Sequence, residues 1–215
     1  MTVVRLLPAA LVLVAAATSA AAADDRLELW LNPSATTQID NGSFVELDTA
    51  QRIRSDGADD TYYARIWLGR EITNDVTFSM GAERRFEGDG RETRFLQQLN
   101  YPLGPLKGRT RLEHRLFSDD PRTGWRLRQR LGGALPLSTG ENGWELTAHI
   151  KGFVTLSASE PGAQTGLTGI RSLIGVVREW DNLELGIGYL RQQTVRYNGR
   201  DTEGHAPFLS RGLKI

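Results

Sequence analysis

The chain has 215 residues, 40% of them apolar, with 23 Gly, 26 basic and 26 acidic side chains and no Cys. Eighteen of the apolar residues and none of the Gly fall in residues 1–23, so the other 192 residues are roughly one-third apolar and about 12% Gly, against the ~7% usual for Gly. That composition predicts one domain with a lean apolar supply; 25 basic against 26 acidic residues after position 23 argues against a nucleic-acid partner, and the lack of Cys excludes disulfides and a lipidated cysteine.

Met1 to Arg5 is a short basic stretch, Leu6 to Ala17 is apolar, and Thr18 to Ala23 supplies small residues ahead of Asp24-Asp25. This predicts a signal peptide over residues 1–23, cleaved after Ala23, and therefore an exported protein. A retained membrane helix fits less well, because the apolar run is short, rich in Ala and interrupted by Pro8. Residues 24–43 are expected as an N-terminal lead-in, or as two short strands about Asn32-Pro33.

From Phe44 onward apolar residues recur at every second position, the strand period, with turn residues between the runs. Ten strands are predicted over 44–54, 61–73, 76–86, 91–101, 107–117, 122–135, 143–156, 167–180, 183–197 and 205–215. Asn41-Gly42, Asn74-Asp75 and Asp181-Asn182 are short hairpin turns. In the clearest run Trp144, Leu146, Ala148, Ile150, Val154 and Leu156 share one face, and Glu145, Thr147, His149, Lys151, Phe153 and Thr155 the other. No window carries a helical stripe. The fold class expected is all-β: an antiparallel up-and-down transmembrane β-barrel of 10 strands over residues 44–215, or 12 if residues 24–43 add two. An even number keeps both termini at one end.

Strands of about 11 to 15 residues exceed the ~5 to 6 of ordinary sheets and are long enough to cross a membrane at a tilt. Tyr62, Phe86, Tyr101, Phe117, Trp125, Trp144, Trp180 and Tyr197 fall near strand ends, where interfacial aromatic girdles sit. The polar face is then the lumen. Its expected ion-pair network comprises Arg65, Glu71, Glu83, Arg85, Arg94, Arg111, Glu113, Arg115, Arg126, Arg128, Arg130, Glu145, Arg171 and Glu184, with Arg109, Glu46, Asp48, Glu92 and Glu179 also inward. Basic charge is 23 Arg against 3 Lys, and the guanidinium fork pairs two-pronged with carboxylates. The same residues read either as an anion-selective constriction or as a self-balancing structural network, and near-equal Arg and Glu counts favour the second.

Glu83-Arg84-Arg85-Phe86, the run Arg109 to Arg115, Arg126-Leu127-Arg128-Gln129-Arg130, Gly188 to Gln193, and His205 ahead of the last strand together resemble the bacterial domain of unknown function 2490. The resemblance covers nearly all of the chain after residue 23 and implies an exported outer-membrane barrel with no established activity. The last strand, Phe208 to Ile215, lacks the terminal aromatic with which outer-membrane strands commonly finish.

Catalytic and metal motifs are not evident: there is no G-x-S-x-G and no H-E-x-x-H. His114, His149 and His205 lie on different strands, His114 on the apolar face. Asp56 to Asp60 and Glu87 to Gly90 concentrate carboxylates in predicted loops without the spacing of a calcium loop. The chain is therefore expected to be non-enzymatic, without cofactor or metal, monomeric, located in the outer membrane, and to meet outer-membrane lipid and the barrel-assembly machinery. The alternatives are a small barrel enzyme acting on outer-membrane lipid, with His149 beside Glu145 or Lys151, and a soluble periplasmic lipocalin-like binder.

Overall fold

A computed structural model of the chain describes residues 24–55, 57–118, 120–138, 143–158 and 163–215; the expected signal peptide, residues 1–23, lies outside them. Eleven strands form one closed barrel: β1 (Asp24–Asp40), β2 (Ser43–Arg54), β3 (Thr61–Thr73), β4 (Val76–Glu87), β5 (Gly90–Leu103), β6 (Leu106–Phe117), β7 (Asp120–Pro136), β8 (Trp144–Ser157), β9 (Gly166–Trp180), β10 (Leu183–Thr194) and β11 (Thr202–Lys214). Each consecutive pair is antiparallel, and β1 closes the ring by pairing parallel to β11. At the usual ~4.8 Å strand spacing and ~40° tilt, eleven strands give a backbone radius of about 11 Å.

Two expectations are corrected here. The segment 24–43 is neither a lead-in nor two short strands: residues 24–40 form one 17-residue strand. Pro33 lacks an N–H, and the ladder to β2 skips Asn32 and Pro33 without losing register. The Asn32 amide donates instead to the Thr49 carbonyl (3.5 Å) and to the Tyr63 hydroxyl (3.1 Å). The count is consequently odd, eleven rather than ten or twelve. Parallel closure places the start of β1 and the finish of β11 at opposite ends of the barrel. The β1 start shares its end with the connections 55–60, 88–89, 118–119, 158–165 and 195–201, the long-loop end. The opposite, short-turn end carries 41–42, 74–75, 104–105, 137–143 and 181–182.

Several turns use left-handed backbone, among them Gly42 at φ 96° and Asp181 at φ 44°. Along most strands the alternation sorts charge inward and apolar bulk outward; on β10 and β11 it partly reverses, with the Arg191–Glu203 pair outward and Leu190 and Ala206 inward. Leu47, Ile66, Leu68, Met80, Phe95, Leu156, Ile187 and Leu209 stand exposed on the outer surface, whereas Glu28, Asp48, Glu83, Arg94, Arg111 and Glu113 are buried. The inner apolar cluster is small, made of Trp30, Leu173, Leu190 and Ala206 with Phe208 against it.

Candidate functional site: a lumen of paired and unpaired charge

Strand register decides which lumen side chains meet. On one side of the barrel Asp48, Arg65, Glu83 and Arg94 stand directly opposite one another across β2 to β5, alternating in sign. Arg65 holds Asp48 with two prongs, Nε to Oδ2 at 2.9 Å and Nη2 to Oδ1 at 2.7 Å, and reaches Glu83 at 3.1 Å. Arg94 contacts Glu83 at 3.0 Å and donates to Glu92, which also accepts from Arg115. Arg85 joins Glu83 at 3.2 Å. Farther along β6, Glu113 is 0% exposed and accepts from Arg126 (2.8 and 2.5 Å) and Arg128 (2.5 Å). At the seam Glu28 of β1 accepts from Arg52 and from the Trp30 indole at 2.8 Å. Charge-assisted bonds of this kind are what a buried carboxylate needs to remain ionised.

The other side is different. Arg109, Arg130, Lys151 and Arg171 stand directly opposite one another across β6 to β9. The row is flanked by Asn100 on β5 and Gln192 on β10. Arg109 donates to the Asn100 amide oxygen at 2.7 Å and Arg171 to that of Gln192 at 3.0 Å. In the neighbouring row Arg111 donates to Gln98 at 2.9 Å. Arg130 and Lys151 make no hydrogen bond or ion pair among the described residues. Like charges directly opposite are destabilising in a sheet, and here carboxamides stand where the other side has carboxylates.

Aromatic faces supply part of the compensation. The Arg171 guanidinium lies 4.4 Å from the Trp30 ring centre and 5.1 Å from Phe153, Arg128 lies 4.8 Å from Phe153, and Arg111 lies 4.7 Å from Trp67. Arg171 on β9 thus reaches β1, and Arg111 on β6 reaches β3, each three strands away around the ring.

Of the residues expected in the network, Arg65, Glu83, Arg85, Arg94, Glu113, Arg115, Arg126 and Arg128 are in ion pairs. Arg111 and Arg171 meet carboxamides, and Arg130 meets neither. Glu71, Glu145 and Glu184 face inward but lie at the short-turn rim, exposed, without an ion pair among the described residues. Among the described residues away from the rims, Arg52, Arg65, Arg85, Arg94, Arg109, Arg111, Arg115, Arg126, Arg128, Arg130, Lys151 and Arg171 make twelve inward cations, against six carboxylates: Glu28, Glu46, Asp48, Glu83, Glu92 and Glu113. Whole-chain neutrality therefore conceals a cationic mid-lumen and an acidic short-turn rim. Sequence reasoning also missed Glu28, because its strand was not recognised, and the inward rings Trp30 and Trp67.

At the long-loop end a cavity of about 440 Å³ opens between Arg26, Arg52, Arg54, Arg196, Asp59 and Glu87, with Gln192 and Thr194 in its wall. Glu87 pairs with Arg54 at 2.8 Å, and Asp60 accepts the Arg54 N–H at 2.9 Å. Asp201 accepts the Arg196 backbone N–H (2.9 Å) and the Gln193 amide (2.7 Å), which hold its carboxyl below the usual aspartate range. Among the described residues no three His, Asp or Glu side chains come together as metal ligands.

The histidines separate as their strand phase dictates. His149 faces the lumen opposite Gly132, with Arg130, Lys151, Arg109 and Arg171 as its charged neighbours. His114 faces outward, stacked on Trp125 at 4.4 Å and 6.5 Å from Phe95. His205 is also on the outer face, near the long-loop rim, where Nδ1 meets the Tyr189 hydroxyl and Nε2 lies 3.7 Å from Glu203. Tyr62, Phe86, Trp125 and Tyr189 face outward towards the long-loop end, and Tyr101, Trp144 and Trp180 towards the short-turn end. Phe117, expected among them, shares the inward face with Glu92, its partner on β5.

A family model described as a protein of unknown function, DUF2490, matches residues 27–203. No curated protein and no solved structure matches the chain.

Proposed function

Since the chain belongs to the DUF2490 family, whose description assigns no chemistry, its own geometry must carry the reading, and we propose a non-enzymatic barrel of the bacterial outer membrane with a side-chain-filled lumen. The observation that carries this is the inversion of the barrel: charge within, exposed Leu, Ile, Met and aromatic side chains without. In water such an apolar surface is costly, whereas lipid solvates it. A lipocalin-like binder needs the opposite phase, an apolar interior and a polar exterior.

Dimensions support the same reading. From Trp144 to Leu156, both outward, β8 runs about 40 Å along the strand and about 30 Å along the axis at ~40° tilt, enough for the ~25 Å apolar band of an outer-membrane barrel. Outward aromatics bracket this band at both ends. A lumen lined by long Arg side chains and by inward rings, with Arg171 against Trp30 and Arg111 against Trp67, suits a structural element or a narrow solute passage rather than an open pore. His149, with Arg130 and Lys151 as charged neighbours and no carboxylate hydrogen-bonded to it among the described residues, supports the non-enzymatic part.

The test is fractionation followed by heat-modifiable gel migration. The protein should need detergent for extraction and should migrate differently when boiled; recovery in the soluble periplasm without detergent refutes the reading. Planar-bilayer recording addresses the lumen separately, and sustained open steps would contradict a filled interior.

A further inference from the structure

We propose that the Arg109, Arg130, Lys151, Arg171 row is a binding site for a phosphate-type dianion, free or carried on the end of a larger solute. The inference goes beyond the outer-membrane reading and rests only on the closed barrel and its register, so a failed fractionation test leaves it standing.

The argument starts from charge without a counter-charge. Four cations occupy directly opposite positions on four consecutive strands. Three strand intervals out of eleven subtend a little over a quarter of the ring, so these side chains converge towards the barrel axis rather than diverge. Glu46 faces Arg109 from across the lumen but makes no ion pair among the described residues. A few strands away the same wall solves the same problem with Asp48, Glu83 and Glu92. The row instead has Asn100 and Gln192 at its ends. A carboxamide oxygen fixes the direction of a guanidinium and leaves its charge available, which is how a site for a mobile anion differs from a structural ion pair. Arg109 is held through Nε at 2.7 Å, leaving both Nη groups to donate, and among the described residues Arg130 and the Lys151 ammonium donate to no partner.

The donor types select the ligand. Guanidinium forks match the paired oxygens of a phosphate, and an ammonium adds a point charge. A dianion neutralises more of the row than chloride and satisfies several N–H groups at once. The Arg-lined cavity of about 440 Å³ at the long-loop end has Gln192 in its wall, the residue whose amide oxygen holds Arg171 at 3.0 Å, which puts one end of the row a single side chain away from it.

The experiment uses the folded chain, in detergent where extraction requires it, and reads its urea midpoint against sodium phosphate, glycerol 3-phosphate and sodium chloride at equal ionic strength. Phosphate should raise the midpoint saturably, and chloride should not. Lys151→Met and Arg130→Met should each weaken the apparent phosphate affinity about tenfold, the scale of one charge-assisted hydrogen bond. Each removes a like charge and so favours folding; Lys151→Gln, which keeps a polar head, serves where Met fails to insert. An equal rise with glycerol 3-phosphate identifies an esterified phosphate as accepted, and a rise with inorganic phosphate alone identifies the free ion. An equal effect of chloride, or undiminished phosphate affinity in the variants, overturns the site.

Discussion

Glu113→Gln offers the sharpest test of the lumen chemistry. The Glu113 side chain is fully buried and takes three hydrogen bonds from Arg126 and Arg128 at 2.5 to 2.8 Å. Glutamine keeps the volume and one acceptor oxygen, so neither a cavity nor a clash arises, but two buried guanidinium groups lose their counter-charge. Removing one partner of a buried pair costs about 3 to 5 kcal/mol, and the surviving acceptor places this change near the lower figure. With a urea slope of about 2 kcal/mol/M, a loss of about 3 kcal/mol lowers the midpoint by about 1.5 M. The assay is equilibrium unfolding from lipid vesicles, followed by tryptophan fluorescence. Glu145→Gln, at the exposed short-turn rim, is the control and should stay within about 0.5 kcal/mol. Adding Arg128→Leu to Glu113→Gln should restore part of the loss, because it removes one of the stranded cations. A midpoint for Glu113→Gln indistinguishable from the control would refute the view that buried pairing holds this lumen together.

Lys151→Met should raise stability by about 0.2 to 1 kcal/mol in phosphate-free buffer, since it removes a like charge directly opposite Arg130 and Arg171; a loss in the same unfolding assay contradicts this. Leu68→Arg, on the outer face where Leu68 is 58% exposed, should cost about 2 to 4 kcal/mol if mid-height β3 meets lipid, and almost nothing if it meets water. Gly175→Val should cost about 1 to 3 kcal/mol or reduce the refolded fraction, because a Cβ there would lie 2.5 Å from the Ile187 carbonyl oxygen and 2.8 Å from the Gly188 Cα. Asp201 has its pKa lowered by the Arg196 backbone N–H and then the Gln193 amide. Its contribution to ordering the 195–201 loop is therefore complete above the unfolded aspartate value and is lost as pH falls through the folded one. Hydrogen exchange of the Arg196 amide should quicken over that acid range once corrected for intrinsic rate, and Asp201→Asn should abolish the pH dependence.

Sequence alternation alone determined that residues after 43 form strands, where most of them turn, and which face of each carries charge. These are local properties: successive side chains point to opposite faces, so Glu145, His149 and Lys151 had to share a side whatever else the chain did. The two-residue turns at 41–42, 74–75 and 181–182 were legible for the same reason. The strand over residues 24–40 was not, because Pro33 signals a break, and its ladder gap is tolerated only with Asn32 and two neighbouring strands in place. Nor was the odd count, since closure pairs β1 with β11 across the whole length of the chain.

The distribution of charge inside the barrel belongs wholly to tertiary structure. Near-equal Arg and Glu totals pointed to a balanced lumen, and composition contains no information on height or partner. Register sets Asp48, Arg65, Glu83 and Arg94 in alternating order on one wall, and Arg109, Arg130, Lys151 and Arg171 in unbroken order on the other. A shift of two residues in any of these pairings would keep every face as it is and exchange the partners. Alternation cannot see such a shift, and only the closed ladder of hydrogen bonds decides it.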